Sequence, residues 1–278
     1  MGADVVLETR WWLTQMPVVA IWTLSLCILL GLVAMKARSA TPGAALAGAA
    51  IAASLMFATV SFPYLPWKTA LVPVLAVLVM TSLATRVGQK RKQSLGTAES
   101  KRGRAASQVA ANLGVAALAS NGLALSWMLK QSWLPAAKAF PAAAFCIGLA
   151  ALAEAAADTV SSELGQVFSG CPRMITTFRK AEPGVDGAIS VGGTLAGIAA
   201  GGVVAGSGAW ALDLGWRMFA LTWTAGVFGL FFDSLLGATL EQRSWVNNDA
   251  VNFLSTVSAA GVALGMLALM PLRFLLAF

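Results

Sequence analysis

An all-α, polytopic integral membrane bundle of about eight transmembrane helices is the fold class this sequence predicts. Three observations predict it. Hydrophobic residues make up 58% of the chain and charged residues only 11%, against about 25% charged in a soluble domain. The apolar residues gather in runs near the roughly 20 residues that cross a bilayer core. The cations gather between alternate runs: thirteen of the nineteen Lys and Arg residues follow the odd-numbered ones.

Residues 1–16 form an amphipathic lead-in whose Trp11 and Trp12 suit a membrane interface. The first run, Pro17 to Met35, is preceded by Asp4 and Glu8 and lacks a small-residue cleavage site, so it is expected as a retained span. Further runs lie at 43–61, 68–85, 108–129, 139–158, 188–208, 215–237 and 250–270. The Ala- and Gly-rich run 43–61 is the weakest of them. The positive-inside rule puts the basic loops in the cytoplasm and both termini outside, as in a bacterial inner membrane. The expected organisation is one integral membrane domain, 1–278, with a basic cytoplasmic loop at 86–107 and a polar cytoplasmic loop at 159–187.

Composition also excludes chemistry. There is no His, which removes the commonest general base and transition-metal ligand. A bound metal would be oxygen-ligated, favouring Mg²⁺ or Mn²⁺. Cys27, Cys146 and Cys171 are too far apart for a zinc or disulfide framework. The net charge of +7 reflects basic loops facing anionic membrane lipids, with no nucleic-acid reading module. No GxxxxGK[ST] pattern is present, so a nucleotide would not sit in a Walker-type loop.

The polar groups concentrate in ADTVSSELGQVFSGCPRMITTFRKAEPGVDGAIS, from Ala157 to Ser190. Glu154 and Asp158 are four residues apart, hence on one helix face. A carboxylate in hydrocarbon costs several kcal/mol, so both must face the bundle interior or a wet cavity. Glu163 is five residues from Asp158 and joins it only if the helix ends or kinks there. Asp233, ending the run at 215–237, can share a cation with Asp158 if the two spans meet. Asp249, with Asn247, Asn248 and Asn252, forms a third cluster that equally reads as a helix N-cap. Asp158, Glu163, Asp233 and Asp249 are therefore the candidate metal ligands.

Arg173, Arg179 and Lys180 supply cations beside Gly184 and Gly187, whose backbone can approach a phosphate closely. Ser190 opens the next span, whose amino end favours anions. In the second basic loop, Lys90, Arg91 and Lys92 read equally as lipid anchors. Lys101, Arg102 and Arg104 lie nearer the following span, where Gln108 and Asn112 share one helix face, so a phosphate role suits this half better. Gly193, Gly197 and Gly201, spaced by four, read as helix packing.

Several ordered motifs carry a family resemblance: TRVG…KRGRAASQVAANLG, ADTVSSELG, RMITTFRKAEPGVDGAISVGGT, DSLLGATLE and NNDAVNFLST. From about Gly43 to Thr256 the chain resembles the transmembrane protein 19 family (domain of unknown function 92), which includes the phytyl-phosphate kinases of tocopherol synthesis. The resemblance implies an intramembrane kinase that converts an isoprenyl monophosphate to its diphosphate with a nucleoside triphosphate. It is similar in plan to polyprenol kinases and lipid cytidylyltransferases, which points to CTP or UTP as donor. Carried over by motif, Asp158, Glu163, Lys180 and Asp233 would be catalytic. Arg173, Thr176, Thr177, Gly184, Gly187, Ser190 and Asn248 would bind substrate phosphates. Phe178-Arg179-Lys180-Ala181 departs mildly from the family's small-basic-basic-Val pattern and leaves the cation pair intact.

The expected partners are an isoprenyl phosphate lipid, a nucleotide and membrane lipids, with a homodimer left open. Two other readings stand beside the kinase. A lipid nucleotidyltransferase would use the same parts on the donor's α-phosphorus. A transporter or flippase would use Glu154 and Asp158 as a cation or proton path.

Overall fold

The computed structural model describes residues 2–61, 63–98, 103–121, 141–168 and 170–270. The protein is an integral membrane helical bundle. Its helices are α1 (Gly2–Lys36), α2 (Pro42–Ala58), α3 (Leu71–Arg86), α4 (Gln89–Leu95), α5 (Ala106–Ser120), α6 (Pro141–Phe168), α7 (Val191–Ala211), α8 (Gly215–Leu236) and α9 (Asn248–Leu269). A π-helical turn, Gly237–Glu241, extends α8. Two short strands, β1 (Arg173–Met174) and β2 (Ala188–Ile189), pair antiparallel between α6 and α7.

The bundle is built around α6, which packs against α3, α5, α7, α8 and α9. Its apolar window is 94% buried, against 17% for that of α1. The difference follows from composition. The core-facing part of α6 is largely Ala, so neighbouring helices approach from every side, whereas α1 turns Ile21, Trp22, Leu29 and Leu32 outward. Glycine does the same job on α7: a Cβ at Gly193 or Gly197 would press on the α6 carbonyls of Ser161 and Ala157. These glycines are packing residues.

Among the described residues, five helices are long and apolar enough to cross a membrane, or six if the bent pair α3–α4 counts as one span. The expected eight is not reached by length. With a rise of about 1.5 Å per residue, α2 with its 17 residues and α5 with its 15 fall short of a full crossing. The expected run 108–129 continues into residues outside the described set.

Two boundaries differ from expectation for physical reasons. The expected loop at 159–187 begins late, because α6 continues unbroken to Phe168. The basic loop 86–107 is not all loop: the chain turns 67° after α3 and makes α4. Gly88 permits the turn, with φ +66 and no room for a Cβ beside the Val167 methyls of α6.

Lys92 then comes back under α3. Its Nζ donates to the carbonyls of Ala84 (2.8 Å) and Thr85 (3.2 Å) and pairs with Glu163 Oε2. A lysine on the last carbonyls of a helix suits both their lone pairs and the helix dipole. Lys92 is thus a buried interior residue and not a lipid anchor, while Lys90 and Arg91 are exposed.

At the opposite end, Lys68 pairs with Asp213 at 2.8 Å and lies over the Trp210 ring.

Candidate active site

Three carboxylates from two helices meet beside α6. Glu154 and Asp158 share a face of α6, and Asp233 reaches them from α8. The approach depends on glycine: a Cβ at Gly229 would overlap the Glu154 side chain, and one at Gly226 would press on its backbone. The carboxyls of Asp158 and Asp233 face one another within hydrogen-bonding reach. Ser162 donates to Asp158 Oδ1 at 3.4 Å.

Asp233 Oδ2 and both Glu154 oxygens are buried without a hydrogen-bond partner. Ser255 of α9 lies against Glu154 and Asp233, but its hydroxyl donates to the Asn252 carbonyl at 3.0 Å. Orphaned buried oxygens of this kind call for a ligand, an ion or water. Among the described residues no group of three or more His, Cys, Asp or Glu side chains is arranged to hold a metal. A hard cation here would take Asp158 and Asp233 and complete its shell with phosphate and water oxygens, the usual habit of Mg²⁺.

The other candidate metal ligands lie elsewhere. Glu163 does not join the pair, because unbroken α6 carries it to a different face. Its Oε1 accepts from Thr85 Oγ1 at 2.9 Å and its Oε2 pairs with Lys92 at 2.5 Å. Asp249 and Asn248 sit in the first turn of α9, where Asn247 is the cap and accepts from the Ala250 amide at 3.0 Å.

The hairpin between α6 and α7 is ordered by its own backbone. Arg173 pairs with Ile189 across β1–β2 and bridges to Lys180. The Arg173 guanidinium donates to the Phe178 carbonyl at 2.7 Å, and Thr177 Oγ1 accepts from the Arg179 amide at 3.4 Å. Thr176, Arg179 and Lys180 are exposed. Gly184 and Gly187 are needed for φ of +90 and +74 and for close approach to Thr97 and Ala238. Gln242 ties the hairpin to the π-turn by donating to the Asp186 carbonyl at 2.8 Å. Ser190 caps α7, accepting from the Gly193 amide at 3.1 Å.

The cation whose charge acts on Asp158 is Arg104. Its backbone is clipped to the segment after α1: the Arg104 amide donates to Ser39 O at 3.1 Å, and the Thr41 amide donates to Arg104 O at 3.0 Å. Lys101 and Arg102 lie outside the described residues. Asn112 is buried on α5 and donates to the Gln108 carbonyl at 2.9 Å.

Arg104 and Asn112 both line an open cavity of about 520 Å³ between α1, α2, α3, α4, α5 and α6. Sequence reasoning did not find this cavity, nor Glu241, which the π-turn brings near Asp186 and Asp158. Sequence reasoning also passed over Ser255, although Asn252, Ser255 and Thr256 form a polar face on an otherwise apolar span that could have pointed to it.

The fold and the site define a helical integral membrane protein with a pair of facing aspartates on neighbouring helices. The chain belongs to the integral membrane protein DUF92 family, which it matches over residues 25–260. It is 31% identical over 205 residues to the uncharacterized membrane protein sll0875 of Synechocystis, covering 73% of this chain and 75% of that one. It is 40% identical over 116 residues to the uncharacterized membrane protein MJ0933 of Methanocaldococcus jannaschii, covering 39% and 45%. It is 27% identical over 206 residues to protein VTE6, chloroplastic, of Arabidopsis thaliana, covering 69% and 57%. The chain therefore spans less than two thirds of the latter two relatives. No solved structure matches.

Proposed function

We propose that this protein is a membrane-embedded kinase that phosphorylates an isoprenyl monophosphate to the diphosphate, using a nucleoside triphosphate at the cytoplasmic face. The observation that carries the reading is the Asp158–Asp233 pair with Arg104 acting on it. The likeness to protein VTE6 and the resemblance to a family that includes phytyl-phosphate kinases support the choice of substrate.

In this reading an oxygen of the acceptor phosphate attacks the donor's γ-phosphorus. The new P–O bond forms as the bond to the bridging oxygen breaks, and nucleoside diphosphate leaves. The acceptor is already ionised, so the step needs no general base, in keeping with a chain without His. Asp158 and Asp233 would hold Mg²⁺, which supplies charge neutralisation on the donor phosphates. Arg104 holds the acceptor phosphate next to them. Arg179 and Lys180, exposed on the hairpin, attract the nucleotide. Catalysis then rests on positioning and charge stabilisation.

The test offers the purified protein phytyl or geranylgeranyl monophosphate, Mg²⁺ and each nucleoside triphosphate in turn, with products read by mass spectrometry. Prenyl diphosphate that disappears with EDTA is the expected result. A nucleotide-linked lipid with pyrophosphate would replace the kinase by a nucleotidyltransferase. No product with any donor would overturn the reading.

A further inference from the structure

The cavity reported above is apolar inside and basic at one end. Its depth is lined by Leu55, Val77 and Leu152. Its α2 wall is made of residues such as Gly48 and Ala52, whose small side chains leave the space open. Arg38, Arg86 and Arg104 lie at the other end, each from a different segment. Arg38 takes φ +55 just past the end of α1. Arg86 ends α3 and donates to the Ala37 carbonyl at 3.3 Å. Arg104 is held by Ser39 and Thr41, and Gly103 beside it has φ +80 and no room for a Cβ against Arg38 and Ala40. Three arginines from distant segments thus line one cavity, with the Arg104 backbone and the Arg86 side chain both hydrogen-bonded to the segment after α1.

The geometry points to this cavity as the binding chamber for the apolar tail of a single-chain lipid monophosphate, its phosphate held at Arg38, Arg86 and Arg104. The inference rests on the isoprenyl-phosphate reading and deepens it. An apolar space with three arginines among its lining residues matches a molecule with one greasy chain and one phosphate, because arginine pairs with phosphate oxygens in a forked geometry. The volume of about 520 Å³ lies in the range of about 300–1,000 Å³ of small-ligand sites, which suits one chain and not a two-chain phospholipid. Leu152 and Ala155, on the helix that carries Asp158, line the same cavity as Arg104, and the charge of Arg104 is felt at Asp158. The chamber therefore sets chain length, and its α2 wall is where length is read.

The test is photolabelling of the full chain in nanodiscs, without nucleotide, by geranylgeranyl monophosphate carrying a diazirine at the tail end. Label is expected on Leu55, Val77 or Leu152. Gly48→Leu narrows the wall and is tolerated locally, since the nearest neighbour of a Cβ there is Val109 Cγ1 at 3.8 Å. It should cut labelling by the long probe by at least about tenfold, the scale on which apolar pockets discriminate added bulk, and spare a geranyl probe. Arg38→Gln with Arg86→Gln should weaken the phosphate probe and leave the corresponding alcohol unchanged.

Label on outward-facing residues such as Leu195 or Phe228, or equal labelling in Gly48→Leu, would overturn the chamber. So would a diazirine phosphatidylglycerol that labels the same residues and resists displacement by the prenyl phosphate, since the space would then hold a structural lipid. Label in the chamber without turnover by any nucleotide would remove the kinase and keep the chamber. Normal turnover with label elsewhere would do the reverse.

Discussion

Lys92 Nζ lies 2.5 Å from Glu163 Oε2, and the Lys92 side chain is 1% exposed. The pair clamps the short helix α4 and the end of α3 to the last turns of α6. Removing one partner of a buried ion pair leaves an uncompensated charge at a cost of about 3–5 kcal/mol. Glu163→Gln should therefore lower thermal stability in detergent sharply, and Lys92→Met with Glu163→Leu should recover most of it. Turnover regained in the double variant would confirm that Glu163 acts through folding. Lys90→Ala, an exposed neighbour on α4, should change neither quantity.

Asp158→Asn and Asp233→Asn should each reduce turnover by about 100-fold or more, the scale seen when one preorganised charge-stabilising group is lost. Unfolding temperature should not fall below the parent value, because each change keeps shape while removing charge from a crowded acidic site. A titration of turnover against Mg²⁺ should shift to higher concentration. Unchanged turnover in either variant would take that residue out of the site.

Glu154 has both oxygens buried without a partner, so its carboxylate is a stability cost. Glu154→Gln should raise the unfolding temperature and reduce turnover less than Asp158→Asn does. A fall in turnover as deep as that of Asp158→Asn would place Glu154 in the chemistry itself.

Gly187 has φ +74, and a Cβ there would collide with Ala238 of the π-turn. Gly187→Ala should cost at least about 1–2 kcal/mol from the left-handed backbone alone. It should also loosen the hairpin from α8, read as faster hydrogen exchange and proteolysis across 173–187. Exchange equal to the parent's would show that the Gln242–Asp186 bond holds the hairpin without this contact.

The chain's membrane-bundle nature and its helix packing by Gly193 and Gly197 were legible from sequence, because each depends on a local property. Hydropathy belongs to a segment, and small-residue spacing to a few consecutive turns. Ser190 was read as a phosphate-binding residue at a helix start, and its cap bond to the Gly193 amide was not foreseen. The placing of Glu154 and Asp158 on one face needed only the helical repeat. The end of that helix was misjudged by ten residues because polar sequence after Asp158 looks like a loop, yet α4 packs against it and it stays helical to Phe168.

Contacts between distant segments were legible only conditionally: Asp158 and Asp233 were expected to share a cation if their spans met, and the sequence could not say whether they do. Asp158 meets Asp233 because Gly226 and Gly229 let α8 press onto α6, and Glu163, carried to another face by unbroken α6, meets Lys92 because Gly88 lets α4 fold back beneath α3. Arg104 enters the site because the chain after α1 grips its backbone, and the small residues of α2 became a wall only when α3, α5 and α6 closed around them. The sequence by itself determined which segments leave water and where charge gathers, since transfer free energy is summed residue by residue. Only the tertiary structure decided which charges become partners, because that depends on how closely two backbones approach, and here glycine and alanine set that distance.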